Sequence, residues 1–387
     1  MGGISASPDG LSGRHTTILD FLYLVLGLGS LILSVALWKT GQGVIAGPLG
    51  ILCPVLLSFY VRKHPVLSVL HFTLWMIAAV MAAMIYPGPF VTVAGFPMKK
   101  FSPYLIMFIM FGMGLNLTFG DFKRVFSMPQ AIFIGVILQF IVMPFGGKFV
   151  AMTMLDNPEV QAGVVLVGAS PAGVASNVIN FLAQNNLALS VTMTAFTTIL
   201  SPVVTPAYMQ WLGGTYVPVN FWDLMWSMLQ LVLFPVIGGL VFNMLSNNLG
   251  NVHDTFLKVF TGIKNAMPKL AMIAICLNNA IMTGNAREQL LVGTLLVNII
   301  FVCAVHNAIG YTLGYWGARL LGMNIRNSRT ASIEVGMQNS GMAATLAQNV
   351  LNSPLAAAPG VVFSSWHNIS GALVASYWAR KQPKDNS

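Results

Sequence analysis

The sequence carries ten Asp and Glu residues among 387. Asp9, Asp20, Asp121, Asp156, Glu159, Asp223, Asp254, Glu288 and Asp385 fall in polar stretches or at the ends of apolar runs. Glu334 does not: it is flanked by Ala331, Ser332, Ile333, Val335 and Met337, and the apolar run continues beyond it. A lone carboxylate in such surroundings costs several kcal/mol, so it must be protonated, paired or bound to a cation. No Lys or Arg stands inside a neighbouring apolar run to pair with it. A bound inorganic cation is the economical explanation, with a proton relay as its rival.

Oxygen groups that suit a hard cation accompany it. Ser176 and Asn177 end the polar segment 168–177, which interrupts an apolar run. Ser190 and Thr194 are spaced i, i+4, so their hydroxyls share one helix face. Gln338 is i+4 from Glu334, within a second polar interruption, 334–341. Gln139 is the one amide in the apolar stretch 132–143. His367 precedes Asn368 and Ser370, a polar cluster suited to the wall of a substrate cavity. His71 and His306 are lone imidazoles on apolar segments and are expected to be satisfied by nearby backbone. Enzyme chemistry has little support. There is no H-E-x-x-H pair, no G-x-x-x-x-G-K-[ST] phosphate loop and no second carboxylate within an apolar run.

These residues sit in a chain that is 56% hydrophobic and only 7% charged, with a mean hydropathy of +0.75. A soluble domain has about 25% charged residues, so an ordinary cytosolic enzyme is excluded. Cys53, Cys276 and Cys303 lie in apolar stretches, where a buried thiol is a small hydrophobe rather than half of a disulfide. Thirty-seven Gly, 20 Pro and 23 Met suit closely packed, interrupted membrane helices. The net charge of +9 comes from residues spread in ones and twos, which points to membrane orientation rather than nucleic acid.

A spanning helix needs about 20 apolar residues. That template predicts spans near 19–37, 43–61, 66–86, 103–119, 129–151, 160–183, 187–211, 222–246, 265–283, 289–318, 330–351 and 357–379. Placing the N-terminus in the cytoplasm puts Arg14, Arg62, Lys63, Lys123, Arg124, Lys258, Lys264, Lys269, Arg319, Arg326, Arg329, Arg380, Lys381 and Lys384 inside. It leaves Lys39, Lys99, Lys100, Lys148 and Arg287 outside. The first run is too long for a cleaved signal core.

The expected fold is thus an all-α polytopic membrane protein. An N-terminal extension with two additional spans occupies 1–64, a ten-span domain occupies 65–380, and 381–387 is a cytoplasmic tail. The ten spans divide into halves at about 65–213 and 221–380, with the polar interruptions at corresponding positions. Five spans per half force the second half to enter the membrane inverted. Paired broken helices in inverted halves mark a transporter's binding site.

At these residues the sequence resembles the bile acid:sodium symporter family. The matching segments are Ile134–Phe140, Ser170–Asn177, Ala188–Thr194, Ile333–Gly341 and Trp366–Gly371. The resemblance covers about 65–380 and implies Na⁺-coupled symport of an organic anion, a bile acid or a smaller carboxylate, by alternating access. It implies two Na⁺ sites behind a crossing of the broken helices. Ser176, Asn177, Ser190, Thr194 and Glu334 match the first. Gln139, Glu334, Val335, Met337 and Gln338 match the second, Val335 and Met337 through their carbonyls. Asn339 and His367 match substrate-side positions, and Asn368 extends that cluster. The first, second, sixth and seventh spans of the ten are implied to form a panel that moves against the rest. Two departures stand out. Val174 replaces a threonine that many relatives carry as a substrate contact, and the two N-terminal spans have no counterpart in the ten-span pattern. Proton-coupled carriage and a non-transporting sensor are the alternatives. The expected location is the cell membrane, the inner membrane in a Gram-negative cell, with both termini cytoplasmic.

Overall fold

The computed structural model describes residues 18–62, 64, 67–123, 127–249 and 254–383. Among the residues used for orientation, Arg14, Lys63, Arg124 and Lys384 lie outside these, as do Asp9 and Asp385. Of the described residues, 84% are helical. Among the described residues, seven helical stretches are long and apolar enough to cross a membrane: Ile18–Lys39, Gly43–Arg62, Pro129–Met154, Leu187–Gly213, Phe221–Ser246, Lys258–Leu290 and Leu295–Leu320. The chain is an integral membrane protein. The count falls below the twelve expected runs for a physical reason: two runs are split at their polar interruptions, and others form shorter or less apolar helices.

The chain divides into two compact units, 1–85 and 86–387. In the first, α1 (Ile18–Lys39), α2 (Gly43–Arg62) and α3 (Leu70–Ile85) pack in sequence order. His71 Nδ1 lies 2.9 Å from the Ser58 carbonyl, the backbone partner expected for it. The segment Pro87-Gly88-Pro89 ends α3, and α3 packs on α2 within this unit.

The second unit opens with the short helix α4 (Gly88–Val91) and a hairpin of β1 (Thr92–Val93) and β2 (Phe96–Pro97). Then follow α5 (Ser102–Asn116), α6 (Phe119–Lys123), α7 (Pro129–Met154), α8 (Pro158–Ala169), α9 (Ala175–Leu182) and α10 (Leu187–Tyr208). A π turn, Met209–Gly213, continues α10, and another, Leu229–Leu233, joins α11 (Phe221–Met228) to α12 (Phe234–Leu249). The last helices are α13 (Asp254–Leu290), α14 (Leu295–Leu320), α15 (Ile325–Gly336), α16 (Ser340–Asn349) and α17 (Pro354–Arg380).

Two stretches repeat one local plan. The half-helices α8 and α15 each have 12 residues. Each starts from an Asn cap: Asn157 accepts from Glu159 N and Val160 N, and Asn324 from Asn327 N. Each ends in extended backbone, at Ser170 (ψ 156°) and Met337 (ψ 105°). Pro171 forces the first ending, because a residue before proline avoids the helical region. After each break come a second half-helix, a tight corner with one left-handed residue (Gln184, φ 57°; Asn352, φ 52°) and a capped long helix. Those caps are Asn186 for α10 and Ser353 for α17.

Helices α5 and α12 approach closely through facing glycines. A Cβ on Gly114 would lie 2.1 Å from Val236 O, and one on Gly239 would lie 2.2 Å from Phe111 O. Buried Ser102, Asn278 and Thr345 join α5, α13 and α16, with Ser102 Oγ 3.0 Å from Thr345 Oγ1. Gly239→Leu is expected to lower the melting temperature of detergent-purified protein by several degrees, an overpacking cost of about 1–3 kcal/mol. Gly262→Ala on α13, with nothing within 4 Å, should leave it unchanged or slightly higher. Matching melting temperatures for the two variants would overturn the close approach.

Candidate functional site

The two breaks meet. Gly173 N donates to Met337 O at 2.8 Å, and Asn339 N donates to Pro171 O at 2.8 Å, with Ala172 and Gln338 paired antiparallel. Only glycine fits at position 173, since a Cβ there would stand 2.7 Å from Gln338 O. Four other buried side chains satisfy polar backbone around the breaks. Gln139 Nε2 donates to Ser170 O at 3.1 Å, Thr205 Oγ1 to Ala169 O at 2.7 Å, and Asn307 Nδ2 to Gly336 O at 2.8 Å. Thr197 Oγ1 accepts from Ala172 N at 3.3 Å.

Glu334 lies on the last turn of α15, fully buried. Four neutral side chains donate to its carboxylate. Ser176 Oγ and Ser190 Oγ reach Oε1 at 2.6 and 2.5 Å, Thr194 Oγ1 reaches Oε2 at 2.7 Å, and Asn180 Nδ2 reaches Oε1 at 3.3 Å. Asn177 Oδ1 lies 2.8 Å from Ser190 Oγ and 3.4 Å from Thr194 Oγ1. Helix α9 thus carries Ser176, Asn177 and Asn180, α10 carries Ser190 and Thr194, and α15 carries the acid. All five residues expected in the first ion set are in one cluster. Asn180 was not read from the sequence, although it stands i+4 from Ser176, the spacing that links Ser190 to Thr194.

The second expected set is also contiguous. Gln139 Nε2 donates to Gln338 Oε1 at 2.7 Å, and Gln338 Nε2 donates to Val335 O at 2.6 Å. Gln139 Oε1 is buried and has no hydrogen-bond partner. The Met337 carbonyl already serves the bridge through Gly173 N. An orphaned amide oxygen beside backbone carbonyls, and a buried carboxylate among hydroxyls, fit a hard monovalent cation.

The substrate-side residues are more dispersed in role. Asn339 caps α16, accepting from Met342 N at 3.3 Å, while Val174 occupies the cap position of α9 and is half-buried. Asn368 donates back to Ser364 O at 2.7 Å. His367 packs edge-on against Phe363, and its Nδ1 is buried without a partner. Val174 O accepts from Asn177 N at 3.3 Å, but among the described residues no side-chain hydrogen bond joins these four to one another or to the carboxylate cluster. His306 is satisfied as expected, its Nε2 lying 2.9 Å from Met143 O.

An integral membrane protein whose broken helices enclose an uncompensated carboxylate belongs to the ion-dependent transporters rather than to the enzymes. The chain is a member of the sodium bile acid symporter family, whose profile matches residues 103–292. It is 40% identical over 317 residues to the uncharacterized sodium-dependent transporter YocS of Bacillus subtilis, covering 81% of this chain and 92% of that protein. It is 36% identical over 320 residues to the probable chloroplastic sodium/metabolite cotransporter BASS1 of Oryza sativa, covering 82% of this chain and 74% of that one. Identity to the Arabidopsis thaliana protein of the same name is 38% over 277 residues, 71% of this chain and 66% of the relative.

Gly173→Val is expected to separate the breaks and lower the melting temperature at a cost of about 1–3 kcal/mol. The added stability in Na⁺ over K⁺ buffer should shrink with it. A variant that keeps the wild-type melting temperature and Na⁺ response would show that the bridge does not support the site.

Proposed function

We propose that the chain is a secondary active symporter in which two Na⁺ ions moving down their gradient drive uptake of an organic anion, a bile acid or a smaller carboxylate. The observation that carries this reading is Glu334, fully buried and, among the described residues, hydrogen-bonded only by neutral donors drawn from two other helices. Na⁺ supplies the missing positive charge. Ser176, Asn177, Ser190, Thr194 and Glu334 hold one ion, and Gln139, Glu334, Val335, Met337 and Gln338 hold the other. The N-termini of α9 and α16 begin at the breaks, so their partial positive charge favours an anion there. Asn339, Val174, His367 and Asn368 are the substrate-side residues. Because Glu334 belongs to both ion sets and its helix to the bridge, ion binding and substrate binding strengthen each other, as linkage requires.

The matching plans of α8–α10 and α15–α17 support a ten-span core of two inverted five-helix repeats that works by alternating access in the cell membrane. The Lys and Arg distribution supports cytoplasmic termini.

Uptake into proteoliposomes, with Na⁺ replaced by K⁺ or choline at fixed pH, tests the coupling. Uptake that survives Na⁺ removal and follows a pH gradient would favour proton coupling. Glu334→Ala is expected to abolish Na⁺-driven uptake in folded protein, and near-normal uptake would overturn the reading. Gln139→Ala and Ser190→Ala, one per ion, should each raise the half-saturating Na⁺ concentration roughly tenfold, the loss of about one hydrogen bond or ligand. Maximal rates at saturating Na⁺ should be better preserved than in Glu334→Ala. An unchanged Na⁺ dependence in both would show that these oxygens are not ligands.

A further inference from the structure

Asn180 stands in neither ion set, yet its side chain is fully buried at the carboxylate. Its Nδ2 donates to Glu334 Oε1 at 3.3 Å and to Ser190 Oγ at 3.0 Å. Its Oδ1 accepts from Asn185 Nδ2 at 2.9 Å. That bond fixes the polarity of the amide: the oxygen faces the α9–α10 corner and the NH₂ faces the acid. An amide held this way can donate to the carboxylate but cannot ligate a cation.

The second break region distinguishes this arrangement from a requirement of the fold. Put in register by their caps, Asn157 with Asn324 and Asn186 with Ser353, the two stretches place Ala347 where Asn180 stands. The backbone closes both corners on that carbonyl. Asn180 O accepts from Asn185 N at 3.0 Å, and Ala347 O accepts from Ser353 N at 3.1 Å. A corner of this type therefore folds with a methyl group at the position.

Ser176, Ser190 and Thr194 each donate their single hydroxyl proton to Glu334. A hydroxyl that donates in this way still has a lone pair to offer a cation. The Asn180 NH₂, by contrast, can only donate. We propose that Asn180 is a positioning residue of the first cation site, whose NH₂, aimed by Asn185, holds Glu334 Oε1 in place for a cation that the hydroxyls ligate. The proposal deepens the Na⁺-symport reading and rests on it.

The test uses full-length protein carrying Asn180→Ala or Asn185→Ala, with Na⁺ and Li⁺ titrations followed by uptake and by thermal shift. Asn180→Ala reproduces the residue found at the other corner, so the fold should persist, with a melting temperature in cation-free buffer close to wild type. The half-saturating Na⁺ concentration should rise roughly tenfold, the loss of a hydrogen bond to a charged group. Asn185→Ala, which leaves Asn180 present but free to turn, should shift it in the same direction by a smaller factor. The ratio of Na⁺ to Li⁺ affinity should change in both, because a carboxylate no longer held in place fits the two ion sizes differently. Unchanged Na⁺ affinity in both variants would overturn the role. So would equal losses for Na⁺ and Li⁺ accompanied by a lowered cation-free melting temperature, the signature of a structural amide. A wild-type protein without any Na⁺ response would instead refute the symport reading itself.

Discussion

The structure of the second unit depends on one constraint: backbone polar groups in an apolar setting must find partners. Two helices are interrupted there, and each break frees N–H and C=O groups that no helix satisfies. The breaks satisfy one another, through Gly173 N to Met337 O and Asn339 N to Pro171 O. Gln139, Thr197, Thr205 and Asn307 cover neighbouring backbone groups. Once those bonds form, the ends of four half-helices are fixed relative to one another. The carboxylate cluster is a consequence, since Glu334 precedes one break by a few residues and Ser176 follows the other.

The framework is repeated, but the chemistry on it is not. In the same register, Val167 stands opposite Glu334 in the repeat, and Ala343, Ala344, Ala357 and Val361 stand where the first stretch has Ser176, Asn177, Ser190 and Thr194. The oxygens therefore come from one stretch and the charge from the other. A second buried acid at the equivalent position would add like charge close by, with its own desolvation cost. In the proposed symport reading, a cation neutralises that one carboxylate while contacting both stretches, drawing the two breaks together.

Much of the site could be read in one dimension. Glu334 stood out because an acid within an apolar run is costly, and Ser190 with Thr194 because their spacing places both on one helix face. The same spacing links Ser176 to Asn180, and that signal was present but went unread. The span count was less legible. Hydropathy sees apolar length, so it registers a broken helix as one continuous run.

Composition by itself determined that the chain is a helical membrane protein, because 7% charged residues cannot coat a soluble surface of this size. Local sequence also determined where the helices break, since Pro171 and the polar segment around Glu334 act on their immediate neighbours. What only the tertiary structure decided is which groups share the carboxylate and in which sense. Glu334 and Ser176 are far apart in the chain, and nothing local brings them within 2.6 Å. Nor does the sequence say that Asn180 offers its NH₂ rather than its oxygen. That choice is made by Asn185 across the corner, because an amide's polarity is set by the partner that claims its other end.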